Sequence, residues 1–409
     1  MAAVNTASAA PVWIVDAVRS PRGRGNDKGA LRGLTPAGLL AQVLRALADR
    51  TRLDPTAVRD LCIGCVTQTA EQGANVARLG ALLAGWPDAV PAVTLNRYCA
   101  SGLSAVGYAA LRAAAEDGCA VAGGVEMMSR VPMAADRGPL THDLDLQRAL
   151  ALLPIGLAAD VVATERGFGR ADCDAWALAS QQRAAAAQDA GRFRSIAPVT
   201  SAEGAVLLAQ DETPRRSTSA ASLAALPPAF AALAGQPDFA ALVAQRLGDR
   251  TLQHVHHAGN SPAMADGASA VLVASEAALR RHGWQPRARI TGVAEVGVDR
   301  TLALTGAVEA TRLALARARV AVADVDLFEV NESFAALMLH FCADLGVDAD
   351  RVNVNGGAIA LGHAMGSTGS ALLGTLLDEL ELRGARRGVV ALCGAAGLAA
   401  AMVVERTPR

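Results

Sequence analysis

The same alternation of short apolar runs and amphipathic segments is written twice in this chain, once toward each end. That repetition limits the folds open to it. Val12–Val18 reads as a strand, and Pro36–Arg50 carries helical spacing, with Thr35 placed to cap it and Pro36 in its first turn. Leu61–Val66, Val90–Leu95 and Cys119–Val125 read as further strands, with a helix over Ala100–Glu116 between the last two. Strand and helix in alternation predict an α/β fold, with a mostly parallel sheet and helices on its faces. LTPAGLLAQVLRALA from Leu34 leads through an acidic turn to VRDLCIGC, and LTGAVEATRLALARA from Leu304 leads in the same way to VADVDLFEV. AVAGGVEMM from Ala120 and VALCGAAGLAAAMVV from Val390 share a strand–turn–strand ending. A duplicated half is the expectation. The middle, residues 129–257, holds irregular Pro/Asp/Arg segments such as Pro132–Asp145 and Asp211–Ser219, around one helix at Asp172–Gly191. It reads as an excursion hung on the first half and carrying ligand contacts.

With 409 residues, two or three domains with ample core are expected. A net charge of −1 offers no basic surface for nucleic acid or anionic membrane. Apolar runs such as Val389–Cys393 are strand-sized, so no membrane span is expected. The opening MAAVNTASAAPVW lacks the basic and apolar regions of a secretion signal. Seven cysteines, an odd number in a large chain, predict reduced thiols and a cytoplasmic setting. Lys28 is the only lysine, so an anionic ligand would be met by Arg, backbone amides or helix ends.

Three motifs carry reactive groups: NRYCASG around Cys99, ALGHAMG around His363 and VALCGAAG around Cys393. Each sits where an apolar run meets a Gly- or Ala-rich turn. Cys99 follows a strand and precedes a helix, so its thiol should face the positive helix end. A free thiol titrates near 8.5 and is about 3% thiolate at pH 7. A helix terminus supplies up to roughly 2 kcal/mol, about 1.5 pKa units, so a base partner is still needed. His363 lies among five glycines between Gly356 and Gly369, ahead of an apolar helix starting near Ser367. The P-loop Lys-Ser/Thr pair is missing there, so a phosphate cradle is not the reading. Asn331, in VNESF, follows the strand Leu327–Val330, where its amide is placed either to hold a water or an oxyanion or to cap a helix from Ser333. A small buried hydrophobe remains the plain alternative for each cysteine. Cys62 and Cys65 resemble half a zinc site, but no second pair has metal spacing, and His254, His256 and His257 lack a carboxylate motif, so no metal is expected.

Taken together, these motifs resemble the thiolase family over essentially the full chain. NRYCASG matches its nucleophile motif, NESFA its Asn-Glu motif, NVNGGAIALGHAMGSTG its Gly-His motif and LCGAAG its C-terminal Cys motif. The resemblance implies duplicated βαβαβαββ halves forming a five-layered α-β-α-β-α core with an inserted loop domain. Residues 1–128, completed by 258–280, would be the N-terminal half, 129–257 the loop domain, and 281–409 the C-terminal half. It also implies reversible cleavage of 3-ketoacyl-CoA by coenzyme A, or condensation of two acetyl-CoA, through an acyl-cysteine. Cys99 would be the nucleophile, His363 its activator and Cys393 the acid/base. Asn331 would fix a water that with His363 forms one oxyanion hole, and the N–H groups of Cys99 and Ala395 would form the other. Arg215, Ser222 and Ser261 would meet coenzyme A, a substrate; the Ala221–Phe230 loop, the segment from His257 to Ser269 and Asp211-Glu212 look like contacts of the same kind. EQGANVAR near Gln72 looks like the loop that reaches across a thiolase dimer. A homo-oligomer, dimer or tetramer, is implied, with no permanently bound cofactor.

Four departures from the family pattern stand out. Gly394-Ala395-Ala396-Gly397 replaces a Gly-rich run, and an alanine there at positive φ would cost roughly 1 kcal/mol. Ala364 follows His363 where the family has Pro. Pro262 stands where a Ser usually contacts pantetheine, and Pro154-Ile155 where short-chain thiolases carry His-Met. They leave open an acyl-CoA-binding or condensing relative without thiolytic turnover. A cysteine hydrolase using Cys99 and His363 is the third reading, and it leaves Cys393 idle.

Overall fold

The computed structural model describes residues 10–407. The reading of a missing secretion signal concerns a segment whose first nine residues lie outside the described ones. Twelve strands follow in chain order among the described residues. They are β1 (Val12–Arg19), β2 (Gly23–Arg24), β3 (Val58–Gly64), β4 (Ala92–Leu95), β5 (Cys119–Met127), β6 (Val199–Thr200), β7 (Val206–Leu208), β8 (Ala265–Ser275), β9 (Ala288–Gly297), β10 (Leu327–Val330), β11 (Arg387–Cys393) and β12 (Leu398–Arg406). Among the helices are α1 (Pro36–Thr51), α2 (Val76–Leu83), α3 (Ser101–Ala115), α4 (Ile155–Arg166), α5 (Arg170–Asp189), α6 (Ala307–Ala318), α7 (Ala335–Leu345) and α8 (Met365–Arg383). The Thr35 side chain accepts the Gly38 N–H at the start of α1, as the sequence predicts.

The main sheet runs β10-β11-β12-β9-β1-β8-β5-β3-β4, with β2 beside β8. β1 pairs with β8 along most of its length but with β9 only over Val12–Ile14, so two half-sheets meet at a narrow seam. The expectation of a mostly parallel sheet fails. Among the described residues only β3–β4, β3–β5 and β10–β11 are parallel; the joints made by β8, by β9 and by the β11–β12 hairpin are antiparallel. Alternation along a strand cannot tell chain direction when both faces are buried.

Both faces are indeed buried. Val389 and Ala391 of β11 point into one core with α6 and α7, while Val390 and Leu392 point into another with α3 and α8. In β5, Val121 and Val125 join α1 and α2, while Ala120 and Ala122 join α3 and α8. The layers are therefore α1/α2, half-sheet, α3/α8, half-sheet, α6/α7. This is the five-layered α/β architecture expected. Helix α8 is buried on every side from Met365 to Leu380, as a helix between two sheets must be. Residues 129–257 carry α5 close to its expected place. They also carry α4, which the sequence does not announce: Gly156–Ala163 is buried all round, so no amphipathic stripe exists to read.

Candidate active site

The two central helices decide the geometry. Cys99 lies two residues before α3 and His363 two before α8. The two N-termini touch because glycines line the crossing. A Cβ on Gly102 would stand 2.6 Å from Gly366 O and 3.0 Å from Ser370 Oγ. One on Gly366 would stand 2.7 Å from Cys65 Cα, and one on Gly64 would stand 2.6 Å from Gly102 N. Backbone therefore packs on backbone, a spacing side chains would forbid.

The remaining motifs close on the same point. A Cβ on Gly394 would lie 3.2 Å from Arg97 O, so the turn after Cys393 abuts the turn before Cys99. The Asn331 N–H donates to Ala391 O at 3.0 Å, which sets Asn331 at the β11 end that carries Cys393. Residues 260–263 bridge the rest: Ala335 N–H donates to Asn260 O, and His363 N–H donates to Ala263 O at 2.8 Å. Glu332, next to Asn331, accepts from Ile359 N–H, Trp176 Nε1 and Ser180 Oγ, which locks the NESF loop to the Gly-rich loop before His363.

Cys99 is partly exposed, whereas Asn331, His363 and Cys393 are buried. Tyr98 sits in the left-handed region at φ 48°, and Ser101 Oγ accepts the Arg97 N–H at 2.8 Å, so a tight elbow presents the thiol. Burial, and then the negative charges of Glu126 and of a Cys393 thiolate, push the Cys99 thiol up to about 12. The expected helix-end lowering is thus outweighed, and the two sulfurs lie within electrostatic reach of one another. Burial also pushes Cys393 up to about 12; its Sγ–H donates to Leu304 O at 2.6 Å, so it is held as an acid. His363 is pushed down to about 3 by burial and then by the Arg22 cation, so its imidazole is neutral. Its Nδ1 shares a 2.9 Å hydrogen bond with Thr368 Oγ1, leaving Nε2 without a partner. Asn331 Oδ1 and Ser261 Oγ are likewise buried and unpartnered among the described residues, while Asn331 Nδ2 donates to Ser333 Oγ. Asn331 does not cap a helix, since α7 starts only at Ala335. A partly exposed thiol, a neutral imidazole, a protonated thiol and unsatisfied polar atoms on loops that pack together suit acyl transfer.

The turn after Cys393 is a 3₁₀ turn, Ala395–Gly397, with Ala396 at φ 54°. The strain foreseen for an alanine is present, at about 1–2 kcal/mol. Of the three residues expected at coenzyme A, two are exposed and the third lies within the bridge. Arg215 is exposed, its Nη2 donating to Ala258 O at 3.5 Å. Ser222 is exposed and engaged with Ser219 in the cap of the short helix Ala220–Ala224. Ser261 stands between Asn260 and Ala263, inside the bridge. Asp211 and Glu212 do structural work instead: Asp211 is buried in a bidentate pair with Arg19, and Glu212 accepts from Arg24 and Ala30 N–H. A separate cleft of about 590 Å³, lined by Asp16, Arg50, Arg194, Trp284, Arg287 and Glu381, flanks the C-terminal half of α8 and holds no nucleophile.

Sequence reasoning missed Thr368, Arg22 and the buried acids Glu126 and Glu332. The signal available for the acids is a lone carboxylate within or just after an apolar strand, since such a charge needs partners.

Family models described as "Thiolase, N-terminal domain" and "Thiolase, C-terminal domain" match residues 12–237 and 257–406. The chain is 40% identical over 419 residues to a beta-ketoadipyl-CoA thiolase of Pseudomonas aeruginosa, covering 97% of this chain and 99% of that protein. It is 41% identical over 410 residues to a 3-ketoacyl-CoA thiolase of Serratia proteamaculans, with the same coverage. The crystal structure of human mitochondrial 3-ketoacyl-CoA thiolase in complex with CoA superposes with a TM-score of 0.86 at 31% identity, over 97% of this chain and 98% of that one. The chain belongs to the thiolase family.

Proposed function

We propose that this protein is an acyltransferase that cleaves 3-ketoacyl-CoA with coenzyme A, and in reverse condenses acyl-CoA with acetyl-CoA, through an acyl-Cys99 intermediate. His363 takes the Cys99 proton, and the thiolate adds to the ketone carbon. The carbon–carbon bond breaks toward the enolate of acetyl-CoA, a species too basic to leave unless donors hold its oxygen. Cys393 gives that carbon its proton, as an acid held by Leu304 O is ready to do. Coenzyme A then yields its thiol proton to the Cys393 thiolate and attacks the acyl-enzyme. Cys99 leaves as thiolate and recovers its proton from the His363 imidazolium.

His363 Nε2 and a water on Asn331 form one oxyanion site, and the Cys99 and Ala395 N–H groups the other. Arg215, Ser222 and Ser261 receive coenzyme A; the free Ser261 hydroxyl supports this where Pro262 offers none. The division at 1–128 with 258–280, 129–257 and 281–409 belongs to the same reading, supported by β8 lying between β1 and β5. A homo-oligomer, dimer or tetramer, is supported by the edge strand β4 with exposed Val93, beside exposed Leu79, Leu82, Leu83, Tyr108 and Leu111. Among the described residues no helix is long and apolar enough to cross a membrane, and a cytoplasmic setting is part of this reading.

The single observation that supports the function most is the glycine-lined crossing of α3 and α8, the two helices that Cys99 and His363 precede. The test follows loss of acetoacetyl-CoA and 3-ketooctanoyl-CoA absorbance with and without coenzyme A. CoA-dependent loss that vanishes in Cys99→Ala supports the reading. Acyl release to water alone would point to a hydrolase, and no loss with either substrate to a binding or condensing relative.

A further inference from the structure

Glu126, the next-to-last residue of strand β5, is fully buried and lies against both central motifs without belonging to either. Four N–H groups converge on it: Val66 at 2.9 Å, Thr67 at 3.0 Å, Gln72 Nε2 at 2.7 Å and Gly366 at 3.0 Å. Cys65 Sγ is 3.9 Å away. Gln72 is itself buried and spoken for, donating to Thr67 O and accepting the Met127 N–H. With donors on every side and no acceptor for an acid proton, the group fits as a carboxylate; burial holds its pKa above the ordinary value, and the four bonds offset that in part. Gly366 is three residues after His363 and two before Thr368, the imidazole's partner. The Val66–Gln72 loop leads to α2 and its exposed leucines.

We propose that Glu126 is a positioning residue of the thiolase reaction: as a carboxylate it clamps the Gly366 amide, and with it the His363 turn, to the Val66–Gln72 loop. This rests on the reading of Cys99 and His363 given above. A second consequence follows from the same charge. Added to burial, it reaches Cys99 electrostatically and opposes the thiolate, so the resting nucleophile stays protonated until His363 accepts the proton. The other titratable or charged groups around these atoms are Cys393 facing Cys99, Arg22 facing His363, and Cys65 facing Glu126.

Two variants separate reach from charge. Glu126→Asp keeps the charge but is one methylene shorter; Glu126→Gln keeps the size but brings an NH₂ against the converging N–H groups and removes the charge. Both are measured for thiolysis kcat and KM, and for the pH dependence of Cys99 alkylation by iodoacetamide, read by mass spectrometry of the Cys99 peptide. The clamp predicts kcat lowered at least about tenfold in both, with KM within about threefold, since displacements of an ångström cost up to about 100-fold. Only Glu126→Gln should move the alkylation profile, and toward lower pH, because losing the negative charge eases thiolate formation. Wild-type kcat in Glu126→Gln, or a loss of stability with an unmoved alkylation profile, overturns the proposal. If Glu126→Gln does not fold, Gln72→Met, which withdraws one of the four donors, decides: kcat lowered about threefold or more at unchanged KM supports the clamp, and wild-type kcat overturns it. Absent CoA-dependent turnover in the wild type would instead remove the thiolase reading, while the alkylation shift still reports on Glu126.

Discussion

Replacing Gly102 by Ala tests how the site is held together. The added Cβ would lie 2.6 Å from Gly366 O, 3.0 Å from Ser370 Oγ and 3.2 Å from Ser370 N. Ordinary contact begins at 3.4 Å, so α3 and α8 must part by about 0.8 Å or the carbonyl must turn. Two of these three atoms are backbone, so neither can swing away as a rotamer would. Overpacking of this kind costs about 1–3 kcal/mol, against which the helix gains up to about 1 kcal/mol from Ala over Gly. The stability loss should therefore be modest, about 0–2 kcal/mol. The catalytic loss should be larger, because the displacement separates Cys99 from His363, and about an ångström of misplacement can cost about 100-fold. The assay pairs urea unfolding with kcat for 3-ketoacyl-CoA thiolysis. Gly33→Ala is the control, since its Cβ would meet nothing within 4 Å. A Gly102→Ala enzyme with kcat within twofold of wild type would refute the claim that backbone contact between these helices sets the site.

Asp211→Asn should destabilise the fold by about 3–5 kcal/mol in urea, because it leaves Arg19 buried and unpaired; a loss under about 1 kcal/mol would contradict the pairing. His363 is neutral down to about 3 in the fold, against about 6.5 when unfolded, so the unfolded chain binds a proton that the native chain refuses between those values. Its contribution is fully present above about pH 6.5 and is lost as pH falls toward 3; His363→Gln should therefore lose less stability than wild type between pH 7 and 5. Equal slopes for the two would count against a neutral imidazole. Leu79→Asp with Leu83→Asp should shift the mass in light-scattering chromatography toward the monomer, and an unchanged mass would place the oligomer surface elsewhere.

The strands and helices around the motifs were legible because each obeys a local rule: Thr35 caps α1, Pro36 opens it, and β10 falls on Leu327–Val330 as the apolar run indicates. Strand direction was not, because strands buried on both faces show no alternation. Helix α4 was hidden for the same reason, being apolar on all sides. Cys99, His363, Cys393 and Asn331 could be picked out by the turns that hold them, and the fold gathers them. What escaped was everything set by burial across long sequence separations. Burial, and then the charge of Glu126, raises Cys99 where a helix end alone would lower it; burial, and then Arg22, depresses His363; and Asp211 serves Arg19. None of these partners is a neighbour in sequence, and no spacing pattern announces them.

The most direct measurement is the site of acylation. The protein is incubated with acetyl-CoA, freed of excess coenzyme A, digested at low pH and analysed by mass spectrometry. The account predicts one acetyl group on the Cys99 peptide, discharged on adding coenzyme A and absent from Cys99→Ala. An acetyl group on Cys393 or any other cysteine in place of Cys99, or a Cys99 adduct that coenzyme A cannot remove, would contradict it.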